Sequence, residues 1–146
     1  MNQVEITGED LKLINLFESV TGVIPQDMAQ VEGGIVFLVA PQSLGKAIGK
    51  KGANIQKLKQ KFNNMNILIS SDADSPEEFL KKFFNNIEIL SYELREAPGQ
   101  KVIFITIPDS QRGIAIGRAG MRIKAAKTFL KRKFEAELNL KTRRVG

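Results

Sequence analysis

The chain has 146 residues, of which 42% are hydrophobic and 26% charged, and its formal net charge at pH 7 is +6. It contains no cysteine and no histidine, which excludes disulfides, thiol nucleophiles, imidazole bases and the usual zinc sites. No apolar run approaches the ~20 residues of a membrane span, and Met1 to Glu5 lack the basic and apolar regions of a signal peptide. We therefore predict a cytoplasmic protein that is not an enzyme and needs neither metal nor cofactor.

The chain begins with a predicted helix. Thr7 is a suitable N-cap, apolar residues then recur at helical spacing, and Gly22 ends the pattern. An extended segment at 23–31 and an uncharged β-rich run at 35–40 flank a glycine turn, which predicts a hairpin. The second strand of this hairpin should be buried on both faces because it carries no charge.

A glycine loop follows the hairpin. Ser43 is predicted to cap a short helix that ends at Ile48, and the loop is Gly49-Lys50-Lys51-Gly52. A second helix carries apolar residues at 55, 58 and 62, and a short strand follows at 67–69. The polar stretch 70–75 is the predicted boundary between two units.

The second half begins with the strongest helix signal in the chain. Ser75 is the predicted N-cap, Pro76 occupies the first helical position and Glu78 the third. The remaining predicted elements are strands at 87–94 and 101–107 around a turn at 97–99, a short helix at 110–116, a basic helix to Phe134, a strand at 135–140 and a frayed basic tail at 141–144. Both halves therefore read helix, strand, strand, helix, loop, helix, strand.

The glycine loop occurs twice. Ile48-Gly49-Lys50-Lys51-Gly52 aligns without a gap with Ile116-Gly117-Arg118-Ala119-Gly120, and the two copies are 68 positions apart. An internal repeat of about half the chain length predicts two structural units, at residues 1–72 and 73–146.

Basic residues cluster around both loops. No acidic residue occurs at 33–71 or at 110–134, and these tracts hold fourteen of the 22 basic residues. A solvated helix face normally mixes both signs of charge, so this clustering indicates a polyanionic partner.

Each loop has the chemistry of a phosphate site. Glycine lets a phosphate approach the main chain, and the N–H groups and dipole of the following helix favour anions. We predict that Lys50, Lys51 and Arg118 contact phosphates, and that Ala119 makes the second loop the weaker of the two. Backbone approach is assigned to Gly49, Gly52, Gly117 and Gly120, and a wider positive field to Lys46, Lys59, Arg112 and Arg122.

An apolar groove for bases could lie beside each loop. Its candidate floor residues are Ala47, Ile48, Ile55, Ala115, Ile116 and Ile123, of which Ile55 and Ile123 are favoured as core. A single GxxG corner could equally be a plain turn between helices, and only the repetition in basic surroundings favours a binding site.

The order strand, short helix, I-G-x-x-G and basic helix resembles the KH domain. Because each loop follows a leading helix and two strands, the resemblance is to the type II arrangement, an α+β fold in which three helices cover one face of a mixed three-stranded sheet. KH domains clamp about four nucleotides of single-stranded nucleic acid with this loop.

The pair of units is similar to the KH pair of the NusA transcription termination and antitermination factors. Three segments carry the similarity: 75–79, 107–111 and 115–123. Neither a polymerase-binding domain nor an OB-type domain precedes the pair in this sequence, so the resemblance is to the short archaeal form. It implies binding of single-stranded RNA in termination, antitermination or elongation control, with RNA polymerase or other transcription factors as candidate partners.

Three other functions are compatible with the sequence. A KH protein of ribosome assembly or RNA processing would share the chemistry, and a protein-interaction scaffold would use degenerate KH units. A magnesium-dependent nuclease is the least favoured of the three functions. The only dense acidic cluster in the sequence is Asp72, Asp74, Glu77 and Glu78, which suits a linker and a helix cap better than a metal site.

Overall fold

The computed structural model describes residues 7–145. The segment Met1 to Glu5, in which the sequence indicates no signal peptide, lies outside the described residues. The chain divides into two compact units, the first ending at Ala73 and the second beginning at Asp74. No helix within residues 7–145 combines the length and the apolar character that crossing a membrane requires.

Within residues 7–145, each unit has three α-helices and three strands in the predicted order. The first unit contains α1 (Gly8–Thr21), β1 (Asp27–Val31), β2 (Gly34–Val39), α2 (Leu44–Ile48), α3 (Ala53–Lys61) and β3 (Asn66–Ser71). The second contains α4 (Pro76–Phe83), β4 (Ser91–Ala97), β5 (Gln100–Pro108), α5 (Arg112–Ile116), α6 (Met121–Phe134) and β6 (Glu137–Arg143). Single 3₁₀ turns precede α2 and α5 and also form both glycine loops.

The leading helix of each unit starts at its predicted cap. Thr7 Oγ1 accepts from the N–H of Asp10 at 3.0 Å, and the Asp10 carboxylate accepts from the N–H of Thr7 at 3.2 Å. Ser75 Oγ accepts from the N–H of Glu78 at 3.2 Å. These bonds satisfy N–H groups that the first helical turn leaves without partners.

Both sheets are mixed, which confirms the predicted α+β class. In each, the middle strand pairs antiparallel with the strand before it and parallel with the strand after the helices, in the orders β1-β2-β3 and β4-β5-β6. The parallel pairing follows because two helices and the glycine loop separate its strands. β3 and β6 are therefore edge strands.

The core of the first unit lies between its sheet and its helices. Ile35, Phe37 and Val39 alternate along β2 and pack with residues of α1, α2 and α3. The rings of Phe17 and Phe37 stack with centroids 4.2 Å apart. All six residues of β2 are buried, as its uncharged sequence predicts.

The second unit has an aromatic core but an exposed first strand. Phe79 of α4 packs against Phe129 of α6 with centroids 6.2 Å apart, and Ile103 and Ile105 of β5 are fully buried. By contrast, no residue of β4 is buried. The core of this unit therefore rests on β5 and the helices, and β4 contributes mainly its backbone pairing with β5.

Three local predictions need correction. The first strand of the second unit begins at Ser91 rather than Ile87, because Ile87 packs into the interior from a turn. The predicted frayed tail at 141–144 is largely strand, since β6 pairs with β5 as far as Arg143. Ser43 precedes α2 but forms no capping hydrogen bond, because a 3₁₀ turn already leads into the helix.

Candidate nucleic-acid interface

The two glycine loops follow the same backbone path. Gly49 and Gly117 have φ of 81° and 78°, with ψ of 166° and 175°, a region that is open essentially only to glycine. Within each loop the last glycine donates its N–H to the carbonyl of the first at 3.1 Å. The repeat in the sequence is thus a repeat in conformation.

The first glycine of each loop is also required by space. A Cβ on Gly49 would lie 2.9 Å from the Asn54 side chain, and one on Gly117 would lie 2.8 Å from Arg122 Cβ. The main chain of the loop therefore packs directly on the helix that follows it.

The third residue of each loop is left-handed without being glycine. Lys51 has φ 55° and Ala119 has φ 54°. Both side chains are exposed, as are those of Lys50 and Arg118. The charged side chains of the loops thus project into solvent, where a phosphate could meet them.

Each loop leads into a helix that has no side-chain cap. Gly52 and Gly120 are the N-cap residues of α3 and α6, and neither can offer a side-chain acceptor to the first-turn N–H groups. No acidic residue lies in either first turn. The uncapped N–H groups and the positive end of the dipole favour an anion at this position.

One side chain closes each loop from the same position in the repeat. Asn54 Nδ2 donates to the carbonyl of Lys46 at 3.0 Å, and an Arg122 guanidinium nitrogen donates to the carbonyl of Ile114 at 3.3 Å. These bonds tie the start of α3 to α2, and the start of α6 to α5.

Arg122, predicted to widen the positive field, makes several contacts within the second unit. Its guanidinium also donates to the carbonyl of Phe83 at 3.1 Å and to Asn86 Oδ1 at 2.6 Å, and it lies 5.3 Å from the ring centroid of Phe84. Burial lowers the pKa of this guanidinium. Arg122 thus ties α6 to the end of α4.

Lys46 and Lys59 differ in position. The side chain of Lys46 lies over Gly22, the residue that caps the C-terminal end of α1. A Cβ placed on Gly22 would be 3.2 Å from Lys46 Cε. A cation suits this position since the C-terminal end of a helix is negative. Lys59 lies half-buried in the last turn of α3.

A cleft lies beside the second glycine loop. It has a volume of about 430 Å³ and lies between α5, α6 and β6. Its lining residues are Arg112, Ile116, Gly120, Ile123, Lys124, Lys127, Leu138, Asn139 and Leu140. Three cations and four branched aliphatic side chains, with no acid among them, form walls that suit both a phosphate backbone and a base.

Lys124 and Lys127 line this cleft although the sequence did not single them out as site residues. Lys124 Nζ donates to the carbonyl of Ala119 at 3.2 Å, so its side chain folds back along the loop. Their spacing could have indicated the role: three residues apart on an acid-free helix, they share one face. Lys124 therefore places a positive charge next to Ala119, the uncharged third residue of the second loop.

The predicted apolar floor divides into core and cleft. Ala47 and Ala115 are buried and belong to the interior. Ile48 and Ile55 are half-buried and pack against the core of the first unit. The remaining two, Ile116 and Ile123, are half-buried walls of the second cleft.

The acidic cluster has ordinary partners. Glu77 and Glu78 pair with Lys81 and Lys82 at 3.0 and 3.3 Å, and the Asp72 carboxylate accepts from the N–H of Ala73. In the described part of the chain, no three acidic side chains come close enough together to hold a metal ion.

Comparison with known proteins identifies similar chains. Residues 76–145 match the family model of the KH domain. Probable transcription termination protein NusA of Methanococcus vannielii is 30% identical over 124 residues, which cover 85% of this chain and 71% of that protein. The protein of the same name from Methanocaldococcus jannaschii is 27% identical over 132 residues, covering 90% and 72%. The crystal structure of APE1850 is similar with a TM-score of 0.78 and 31% identity, over 94% of this chain and 100% of that chain.

Proposed function

Since the chain belongs to the archaeal NusA-like family of KH-domain proteins, we propose that it binds single-stranded RNA through two type II KH units in transcription termination, antitermination or elongation control. The order helix, strand, strand, helix, loop, helix, strand in both units supports the type II assignment. The names of its relatives support the role in transcription. RNA polymerase is a candidate partner on the same ground.

The observation that carries RNA binding is the cleft of the second unit. The second glycine loop, with the uncapped N–H groups of α6, borders this cleft, and the cleft is lined by Arg112, Lys124 and Lys127. Lys124 lies against the carbonyl of Ala119, so the ammonium supplies the charge that the third loop residue lacks. Phosphates therefore have both backbone and side-chain donors along one side of the cleft.

Bases would enter the apolar part of the same cleft. Ile116 and Ile123 line it together with Leu138 and Leu140. β6 is an edge strand, so its outer N–H and C=O groups are not used by the sheet and can bond base edges. This geometry suits an unpaired strand, whose bases are splayed out and read on their edges.

Fluorescence anisotropy with an unstructured RNA of about eight nucleotides, twice the ~four that one KH groove holds, tests this proposal. Replacing Lys50 and Lys51 together by Gln should weaken binding about tenfold, if each exposed charge contact is worth roughly 0.7 kcal/mol. The slope of log affinity against log salt should become shallower by about 0.7 for each phosphate that is no longer neutralised. Lys81→Gln with Lys82→Gln removes the same charge from α4 and should change neither quantity appreciably.

Three results would redirect the interpretation. Equal weakening by the α4 control and the loop variant would mean that net charge, rather than the loop, attracts RNA. Unchanged RNA affinity in the loop variant together with a stable protein complex would favour the scaffold function. Crosslinking in cells to ribosomal RNA rather than nascent messenger would move the protein to ribosome assembly or processing.

A further inference from the structure

We propose that the RNA track of the second unit continues past the glycine-loop cleft along α6, into a second cleft where Lys131 binds one further phosphate. This inference rests on the proposed RNA binding and extends it to a site that a groove of about four nucleotides does not include. It also makes the two units unequal in the length of RNA they bind.

The two clefts of the second unit adjoin each other. The second has a volume of about 350 Å³ and is lined by Lys127, Lys131, Ala136, Glu137 and Leu138. Lys127 and Leu138 also line the first cleft. The two clefts therefore share walls on α6 and β6, along which the proposed RNA track continues from the first cleft into the second.

Three lysines mark this path. Lys124, Lys127 and Lys131 are separated by three and four residues, so they lie on one face of α6. At a rise of about 1.5 Å per residue, Lys124 and Lys131 are roughly 10 Å apart along the helix axis. The row therefore follows about two turns of α6 away from the glycine loop, in the direction of the second cleft.

The first unit lacks the extension. Its helix α3 has 9 residues, whereas α6 has 14. Beyond α3 the chain turns back at Asn63 and Asn64, both left-handed with φ of 56° and 62°. The position that Lys131 would have in the first unit is thus occupied by this turn. Lys131, which lines the second cleft, belongs to the additional length of α6.

Glu137 is the acidic member of the second cleft. Its carboxylate lies 3.8 Å from Lys131 Nζ, and both side chains are 62% exposed. An ion pair with this exposure is weak, so Lys131 can exchange the carboxylate for a phosphate at little cost. The carboxylate in turn repels an incoming phosphate. Removal of the two charges should therefore change RNA binding in opposite directions.

The test measures the affinity of the full chain for RNAs of about four and about eight nucleotides. The chain carries Lys50→Gln and Lys51→Gln, which reduce RNA binding by the first unit. Adding Lys131→Gln should lower the affinity for the longer RNA about threefold, which is the effect of one exposed charge contact. The affinity for the shorter RNA should not change. The salt slope should become shallower by about 0.7 for the longer RNA only. Glu137→Gln should raise the affinity for the longer RNA.

Lys133→Gln is the matched control. Lys133 belongs to the same last turn of α6, but lies on the opposite side of the helix, against Phe134. Equal effects of Lys131→Gln and Lys133→Gln, or of Lys131→Gln on both RNA lengths, would overturn the extension while leaving RNA binding intact. If the parent chain bound neither RNA, the proposed function itself would be refuted.

Discussion

Replacing Arg122 by Ala should destabilise the second unit far more than the equivalent change, Asn54→Ala, destabilises the first. Arg122 donates to the carbonyls of Phe83 and Ile114 and to the side chain of Asn86, whereas Asn54 donates one such bond, to a carbonyl. The truncation removes all three bonds and leaves two main-chain acceptors with fewer donors.

The expected magnitude follows from these contacts. A hydrogen bond to a charged group contributes about 1.5–3 kcal/mol when buried and less at the surface. Of the three bonds, only the one to the Phe83 carbonyl is partly buried, so the free energy of unfolding should fall by about 3 kcal/mol rather than by the full sum. The single neutral bond of Asn54 is worth about 1 kcal/mol. Arg122→Lys should fall between these values because lysine cannot reproduce the guanidinium fork.

Urea unfolding provides the assay. The chain has a single tyrosine and no tryptophan, and Tyr92 lies on β4, so tyrosine fluorescence reports on the second unit. Far-UV circular dichroism reports on the whole chain, and an unchanged m value would show that the variants differ in stability rather than in the extent of unfolding. A loss of stability for Arg122→Ala no greater than that for Asn54→Ala would refute the structural role and return Arg122 to the wider positive field around the loop.

Three further outcomes can be measured by thermal unfolding. Gly117→Ala should lower the free energy of unfolding by more than ~2 kcal/mol, because it combines a 2.8 Å contact with a glycine-only conformation. Gly120→Ala meets only a flexible lysine and should lower it by about 1 kcal/mol. Similar losses would contradict the close packing of the first glycine. Ala119→Gly should stabilise the protein by up to about 1 kcal/mol by relieving the left-handed conformation, and a loss of stability would count against that strain. Ser75→Ala should cost about 1 kcal/mol and Ser75→Asp almost nothing, because aspartate retains the cap; an equal loss in both would contradict the capping bond.

The features that could be predicted from the sequence are those that depend on neighbouring residues. The Thr7 and Ser75 caps, the glycine loops and the order of elements all follow from short-range rules of backbone geometry and hydrophobic spacing. The repeat added a second, independent copy of the same pattern. The α+β class and the mixed sheets could be anticipated through the resemblance of this element order to the type II KH domain.

The features that could not be predicted depend on which side of an element meets the rest of its unit. Arg122 has the sequence surroundings of an exposed cation, and only the fold places Phe83 and Asn86 within reach of its guanidinium. The bounds of β4 were missed because the apolar residue Ile87 packs into the interior from outside the strand, whereas the strand itself is polar and largely exposed on both faces. Likewise, the basic residues of β6 resemble a tail, although β5 provides partners as far as Arg143.

The bonds that close the loops have a consequence for the rate of association. Gly49 and Gly117 each donate to a carbonyl four residues back at 3.0 Å, and Asn54 and Arg122 brace the same corners from the following helix. A corner that is already formed has little ordering to complete when a ligand arrives. We therefore expect the encounter to be limited by diffusion and electrostatic steering, with an on-rate that falls as ionic strength rises.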